Sequence, residues 1–104
     1  MELDEVAVLA LAPDDASRQA ARGLAVPGLW DGAGHDAEAA WGRVRGSRRE
    51  PYQVALDLTG EPAWTCSCPS RKQPCKHALG LFLLVARGQV TAGPRPSEAG
   101  TWLE

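Results

Sequence analysis

Three thiols and one imidazole lie within twelve consecutive residues, Cys66-Ser67-Cys68-Pro69-Ser70-Arg71-Lys72-Gln73-Pro74-Cys75-Lys76-His77. This stretch contains every cysteine of the 104-residue chain. Three cysteines and one histidine form a known donor set for structural zinc, which takes four ligands in a tetrahedron. The spacing C-x-C, six residues, C-x-H therefore predicts a Zn2+ site with Cys66, Cys68, Cys75 and His77 as its ligands.

Each half of the motif has a physical reason for its spacing. Residues i and i+2 of a strand point to the same face, so an extended backbone would aim Cys66 and Cys68 at one point. The second pair cannot be wholly helical, because helix neighbours face each other at i+3 and i+4. We therefore expect Cys75 just before a helix and His77 in its first turn, and Pro74 favours a helix start there.

Other interpretations of the cysteines explain fewer of them. A disulfide framework requires an even number of cysteines, and a redox pair is usually spaced C-x-x-C. A catalytic cysteine–histidine pair would use one thiol and leave two unexplained. The remaining alternative is that three buried cysteines lie near an incidental histidine.

The motif and its flanks resemble the SWIM zinc finger, in particular that of bacterial SWIM finger proteins. The resemblance covers residues 41–87 and includes Trp41-Gly42, Gly46-Ser47, Pro51-Tyr52-Gln53-Val54 and Pro74-Cys75-Lys76-His77-Ala78-Leu79-Gly80-Leu81. It implies the same four zinc ligands. It also implies a module that binds DNA or protein, of a kind found beside helicase-type ATPases, transposases and recombination factors.

The sequence predicts an α+β fold, in which a small zinc-bound, three-stranded antiparallel sheet is followed by a hydrophobic helix (a ββα finger). The clearest strand is residues 52–59, where apolar and polar side chains alternate. We expect the other strands at residues 40–45 and 63–68 and the helix at residues 76–87. That helix is apolar all round, so N-terminal helices or a partner must cover it.

The N-terminal part of the chain predicts two short helices packed on the finger. Apolar spacing favours a helix at residues 3–11, although a partly mobile arm at residues 1–12 is an equal alternative. A second helix at residues 16–22 would be capped by Asp14 or Asp15 and would stop at Gly23. Residues 25–36 predict a loop anchored by Trp30, with His35 as an exposed loop histidine.

These elements divide the chain into an N-terminal helical segment at 1–36, the finger domain at 37–88 and a flexible tail at 89–104. No run approaches 18 apolar residues, which predicts that no segment spans a membrane. Reduced thiols that hold a metal fit a cytoplasmic location.

Charge is distributed unevenly along the chain. Residues 1–40 carry eight acidic and two basic residues, whereas residues 41–87 carry eight basic and three acidic ones. Clustered cations on a small module are the electrostatic footprint of a nucleic-acid partner. We call the segment between Cys68 and Cys75 the zinc loop. The candidate nucleic-acid-binding residues are Arg71, Lys72 and Lys76 in and beside the zinc loop and Arg43, Arg45, Arg48 and Arg49 around the first strand. The alternative is that these side chains form a solvated face.

The sequence therefore predicts a non-catalytic zinc module that binds nucleic acid, either DNA backbone or single strands. Trp41 and Tyr52 would stack on bases if exposed, and the favoured alternative is that both belong to the core. The other function is a protein-interaction adaptor that uses the basic loop or the exposed side of the helix at residues 81–85. An enzyme with a small-molecule substrate is not expected, because four protein ligands leave a zinc ion no open position.

Overall fold

The computed structural model describes residues 4–46 and 49–94, which form an α+β fold with one antiparallel sheet packed against a buried helix. The elements are, in chain order, α1 (Glu5–Ala10), α2 (Asp15–Leu24), a 3-10 turn (Pro27–Leu29), β1 (Trp30–His35), β2 (Ala39–Val44), β3 (Tyr52–Asp57), β4 (Ala63–Cys66) and α3 (Lys76–Ala86).

The sheet has four strands in the order β1-β2-β3-β4, and each neighbouring pair is antiparallel. The three predicted strands correspond to β2, β3 and β4, with ends that differ by at most two residues. β1 is a fourth strand, and it lies in the segment 25–36 that the sequence predicts to be a loop. The predicted α+β class is confirmed. The prediction of three strands is wrong, because the sheet has four. The prediction of a loop at residues 25–36 is wrong for residues 30–35, which form β1.

The composition of β1 explains why its sequence does not predict a strand. The strand is rich in glycine and has no apolar alternation, but a side chain from β2 covers it. The ring of Trp41 packs on Gly34, where an added Cβ would lie 2.9 Å from the ring Nε1. The register shifts between Asp31 and Gly34, and Gly32 there has a φ of 63°. An aromatic ring on a cross-strand glycine thus replaces the packing that β1 lacks.

Helix α3 forms the centre of the core. Every residue from His77 to Leu84 is buried. The sheet covers one side of α3, and α1 and α2 cover another. The prediction that N-terminal helices cover this apolar helix is therefore confirmed. Among the described residues, no helix is both long enough and apolar enough to cross a membrane.

Both N-terminal helices begin at an aspartate cap. The carboxylate of Asp4 accepts a hydrogen bond from the N–H of Ala7 at 2.7 Å, and that of Asp14 accepts one from Ser17 at 2.8 Å. Such caps satisfy N–H groups that the first helical turn leaves free. Val8 is fully buried, so α1 packs on the core and is not a mobile arm.

The ends of both helices differ from the prediction. α1 covers Glu5–Ala10, which is shorter than the predicted 3–11. α2 continues through Gly23 to Leu24, so the predicted stop at Gly23 is wrong. A glycine inside a helix costs about 1 kcal/mol relative to alanine. The contact of Leu24 with α3 offsets that cost and extends the helix.

Trp30 anchors the connection between α2 and β1, as predicted. Its side chain is 8% exposed, and its Nε1 donates a hydrogen bond to the carbonyl oxygen of Leu24 at 2.8 Å. The ring also lies against Gly42 of β2, where an added Cβ would come within 2.9 Å of it. One side chain therefore fixes the end of α2 relative to the sheet.

The chain after α3 returns along the edge of β1. The N–H of His35 donates to the carbonyl oxygen of Thr91 at 3.1 Å, and the N–H of Gly93 donates to that of His35 at 3.0 Å. The start of the predicted tail 89–104 is thus bound to the sheet, whereas residues 95–104 lie outside the described residues. The division of the chain after residues 36 and 88 stays a prediction.

Candidate metal centre

The first two thiols come from the end of β4. Cys66 is its last residue and lies opposite Val54, which is fully buried in the core. Ser67 extends the pairing with β3, because its N–H donates to the carbonyl oxygen of Gln53 at 3.1 Å and its Oγ accepts from the N–H of Gln53 at 2.9 Å. The extended backbone then brings Cys68 to the same side as Cys66.

The other two donors come from the start of α3. Cys75 is the N-cap residue, with extended backbone angles, and its Sγ accepts a hydrogen bond from the N–H of Ala78 at 3.4 Å. His77 is the second residue of the helix. This is the predicted arrangement, in which Cys75 precedes the helix and His77 lies in its first turn. Pro74 lies one residue before the cap.

The four side chains converge on one point. Their candidate ligand atoms all lie within 4.8 Å of one another, and the Sγ of Cys66 is 3.9 Å from the Nδ1 of His77. Tetrahedral zinc, with Zn–S of about 2.3 Å and Zn–N of about 2.0–2.1 Å, separates its ligands by about 3.5–3.8 Å. Cys66, Cys68, Cys75 and His77 are therefore placed to bind a metal ion, and the donor set is consistent with zinc.

The thiols of Cys66 and Cys75 interact electrostatically. A hydrogen bond from Cys66 lowers the pKa of the Cys75 thiol to about 4, and His77 and the Ala78 N–H act in the same direction. The same hydrogen bond, together with burial, raises the pKa of Cys66. Because thiolates and not thiols ligate zinc, a bound ion would displace the shared proton.

Hydrogen bonds and ring contacts fix the loop between the two pairs of donors. The Nε1 of Trp64 on β4 donates to the Oε1 of Gln73 at 2.7 Å, and the Nε2 of Gln73 donates to the carbonyl oxygen of Ser70 at 3.2 Å. Trp64 also makes an edge contact with Phe82 of α3, with ring centroids 6.3 Å apart. Trp64 therefore positions the loop through Gln73 and α3 through Phe82, a role that the sequence does not indicate.

Three predicted cations surround the metal centre. Arg71, Lys72 and Lys76 are all exposed. The Nζ of Lys72 lies 2.8 Å from the Oδ2 of Asp14, the cap residue of α2. The zinc loop and the N-terminal helices are thus joined by a charge pair that the sequence does not predict, because its partners are far apart in the chain.

The charge pair keeps Asp14 ionised. The hydrogen bond from Lys72 lowers the pKa of Asp14 from 3.8 to about 2, and Ser17 acts in the same direction. Because folding lowers this pKa, the pair stabilises the fold fully above about pH 3.8. That contribution is lost as the pH falls through about 2, so it is constant over the neutral range.

The other predicted cations lie away from the metal centre or outside the described residues. Arg43 is half-buried on β2 opposite Gln53, on the sheet face that does not carry Val54. Arg45 and Arg49 are exposed in the connection between β2 and β3, and Arg48 lies outside the described residues. Arg43 thus lies on the sheet face opposite to the one that carries Cys66.

The two candidate stacking aromatics belong to the interior. Trp41 is 3% exposed and Tyr52 is 2% exposed. The alternative that both are core residues is confirmed, and stacking of these rings on bases is excluded as a binding mode. Tyr52 instead contacts the His77 ring, with centroids 4.9 Å apart. The sequence gives no local signal for this contact.

His35 lies outside the group of metal-binding side chains. It is half-buried on β1, and its Nδ1 is 3.4 Å from the carbonyl oxygen of Asp36. Among residues 4–46 and 49–94, the metal-binding group comprises only Cys66, Cys68, Cys75 and His77. His35 is therefore a strand residue and not the exposed loop residue that the sequence predicts.

Comparison with known proteins identifies the same segment of the chain. The family model of the SWIM zinc finger matches residues 52–86, which run from β3 through all four donors to the end of α3. Searches of curated proteins and of solved structures gave no match. The family match and the converging donors agree with each other, and both are consistent with a SWIM-type zinc finger in this part of the chain.

Proposed function

We propose that the chain is a zinc-dependent module that binds nucleic acid, DNA above all, through the basic surface around its zinc loop. The observation that supports this function best is the position of Arg71 and Lys76. Both are exposed beside the metal centre, and neither has a carboxylate partner among the described residues. Cations held on a loop of fixed shape can contact phosphates without losing much side-chain and loop freedom on binding.

The zinc ion in this proposal is structural. Cys66, Cys68, Cys75 and His77 occupy the four positions of a tetrahedral ion, whereas a catalytic zinc keeps one position for water or substrate. The module is therefore non-catalytic, and the ion fixes the zinc loop relative to α3. Thiols that must stay reduced to hold the metal favour a cytoplasmic location.

The geometry favours contact with the phosphate backbone or with single strands. The major groove of duplex DNA is usually read by an exposed helix or a two-stranded ribbon. Here α3 is buried from His77 to Leu84, so this helix has no exposed face to insert. Arg43, Arg45, Arg48 and Arg49 are included in the proposal as a second, more distant set of phosphate contacts.

The alternative function, a protein-interaction adaptor, could use either the apolar helix or the basic loop, and only the basic loop is exposed. Leu81 to Leu84 are buried against the sheet and the N-terminal helices, which leaves that side of α3 unavailable to a partner. The basic loop itself remains available to an acidic protein segment. Binding of such a segment with no binding of nucleic acid is therefore the second outcome of the experiment below.

The test is a salt titration of oligonucleotide binding by the zinc-loaded chain. We expect a mixed-sequence single strand to bind at about 50 mM salt and to dissociate as salt rises, because phosphate contacts release counterions. The double substitution Arg71→Ala/Lys76→Ala should weaken binding and reduce the slope of log K against log salt by about 0.7 for each lost contact. Fluorescence anisotropy measures both quantities.

The matched control is Arg22→Ala, which removes an exposed arginine from α2. It should leave both the affinity and the slope unchanged. An absence of binding to single and double strands at about 50 mM salt would overturn the proposal, since electrostatic contacts are strong under that condition.

A further inference from the structure

A cavity of about 470 Å³ lies between α2 and the zinc loop. Its volume falls in the range of roughly 300–1,000 Å³ that is typical of small-ligand sites. Ala16 and Ala20 form the wall on α2, and Pro69 lies on the wall of the zinc loop. The cavity is therefore next to the proposed binding surface, and it also borders the metal centre, because Cys68 and His77 contribute to its lining.

The lining of the cavity combines apolar walls with positive charge. Lys72, Lys76, Ser17 and Ser70 all line it, and among the residues that the structure describes no aspartate or glutamate does. Lys72 also bonds to Asp14 at 2.8 Å, whereas no ion pair involves Lys76 within residues 4–46 and 49–94. Lys76 is thus the cation best placed to meet an anionic group at this cavity.

The shape of the α2 wall suits a flat group. Ala16 and Ala20 are four residues apart, so their side chains lie on the same face of the helix. Neither side chain extends beyond Cβ, and this leaves the space between α2 and the zinc loop open. A ligand that carries both a flat, partly apolar ring and an anionic group would match both features of the lining.

We propose that this cavity holds one nucleotide of a bound single strand, with its phosphate at Lys76 and its base against Ala16 and Ala20. This proposal rests on the proposed function and specifies how the strand is held. It also explains how the module binds single strands although Trp41 and Tyr52 are buried. The base enters a cavity, to whose lining Tyr52 contributes, and does not stack on an exposed ring.

The test fills the cavity from its apolar wall. Ala20→Trp places a large side chain in the cavity without removing any cation. We expect the affinity for a short oligothymidylate to fall at least about fivefold, since one base contact is lost. The matched control is Gln19→Trp, which adds the same ring at an exposed position of α2 that does not line the cavity. It should change the affinity by no more than about twofold.

A second measurement does not depend on a variant. Thymidine 5′-monophosphate added to the unaltered zinc-loaded chain should shift the NMR signals of Ala16 and Ala20, and inorganic phosphate at the same concentration should not. If oligothymidylate binds but Ala20→Trp behaves like Gln19→Trp, the cavity proposal is overturned and the proposed function stands. If neither oligothymidylate nor the monophosphate binds, the cavity proposal is overturned, and the proposed function is overturned with it when duplex DNA also fails to bind. Equal shifts from inorganic phosphate would overturn the assignment of a base to this cavity.

Discussion

Gly46 lies directly against the ring of Tyr52. A Cβ added at Gly46 would be 1.9 Å from the Cε2 of that ring, a distance that no Cβ tolerates. The Tyr52 ring also contacts the ring of His77, at a centroid distance of 4.9 Å and an interplanar angle of 48°. The segment that follows β2 therefore limits the position of the Tyr52 ring, and this ring in turn contacts the imidazole of the metal centre.

Gly46→Ala should weaken metal binding without altering any ligand. The new methyl group must displace the Tyr52 ring, which then no longer supports His77, and overpacking of this kind costs about 1–3 kcal/mol. We expect a lower zinc affinity in competition with a chromogenic chelator and a lower melting temperature. Gly60→Ala is the control, because nothing lies within 4 Å of a Cβ there. Unchanged zinc affinity in Gly46→Ala would show that Tyr52 does not position His77.

The sequence predicts the parts of the structure that depend on local spacing. Strand alternation aligns Cys66 with Cys68, and a proline just before a helix places Cys75 at the cap and His77 in the first turn. An apolar helix of this kind must be covered, and the N-terminal helices do cover it. These relationships hold within a few residues or within one element, where the backbone alone determines which side chains share a face.

The relationships that the sequence does not predict join residues far apart in the chain. The ring of Trp41 on β2 packs on Gly34 of β1, and no pattern within residues 30–35 predicts this contact. In the same way, the pairing of Lys72 with Asp14 depends on the packing of α2 beside the zinc loop. Such contacts arise from tertiary packing, which overrides local propensity.

Removal of the metal should unfold the finger. In zinc-finger peptides, metal binding contributes an apparent free energy of roughly 10–16 kcal/mol to folding. The free energy of unfolding of a whole domain is only about 5–15 kcal/mol. We therefore expect a strong chelator, or acid that protonates the thiolates, to reduce the helical circular dichroism signal in step with zinc release. Zinc alone should restore the signal. Retention of the full signal after metal removal would show that the core of α3 is sufficient for folding.

Cys75→Ser should distinguish the role of Cys75 as a metal ligand from its role as the N-cap of α3. A serine hydroxyl can replace the thiol as acceptor for the N–H of Ala78, and serine is a favourable cap residue. The substitution therefore keeps the cap and removes one zinc ligand. We expect loss of stoichiometric zinc and unfolding from Trp64 onward, observed as exchange of the backbone amides of β4 and α3. A folded, metal-free variant would contradict the structural role of the ion.

Gly80→Ala and Gly23→Ala should change stability in opposite directions. Alanine is favoured over glycine in a helix by about 1 kcal/mol, and nothing lies within 4 Å of a Cβ at Gly23. At Gly80 the Cβ would lie 2.9 Å from that of Leu24, so α2 must move away from α3. We expect thermal unfolding to show that Gly23→Ala is more stable than the unaltered chain. Gly80→Ala should be less stable than the unaltered chain by about 1–3 kcal/mol. Stabilisation by Gly80→Ala would mean that α2 can move away from α3 without loss of stability.

Asp14→Asn should raise the affinity for single strands by freeing Lys72 from its partner. Asparagine caps a helix as well as aspartate does, so the bond to the N–H of Ser17 is kept while the charge is removed. One additional phosphate contact should steepen the slope of log K against log salt by about 0.7. Because the pKa of Asp14 is about 2, this carboxyl stays ionised at neutral pH. The difference in affinity between the variant and the unaltered chain should therefore be constant from about pH 6 to about pH 8. Asp15→Asn, which removes the same charge beside Arg18, is the control. Equal effects of the two substitutions would show that net charge, and not release of Lys72, governs binding.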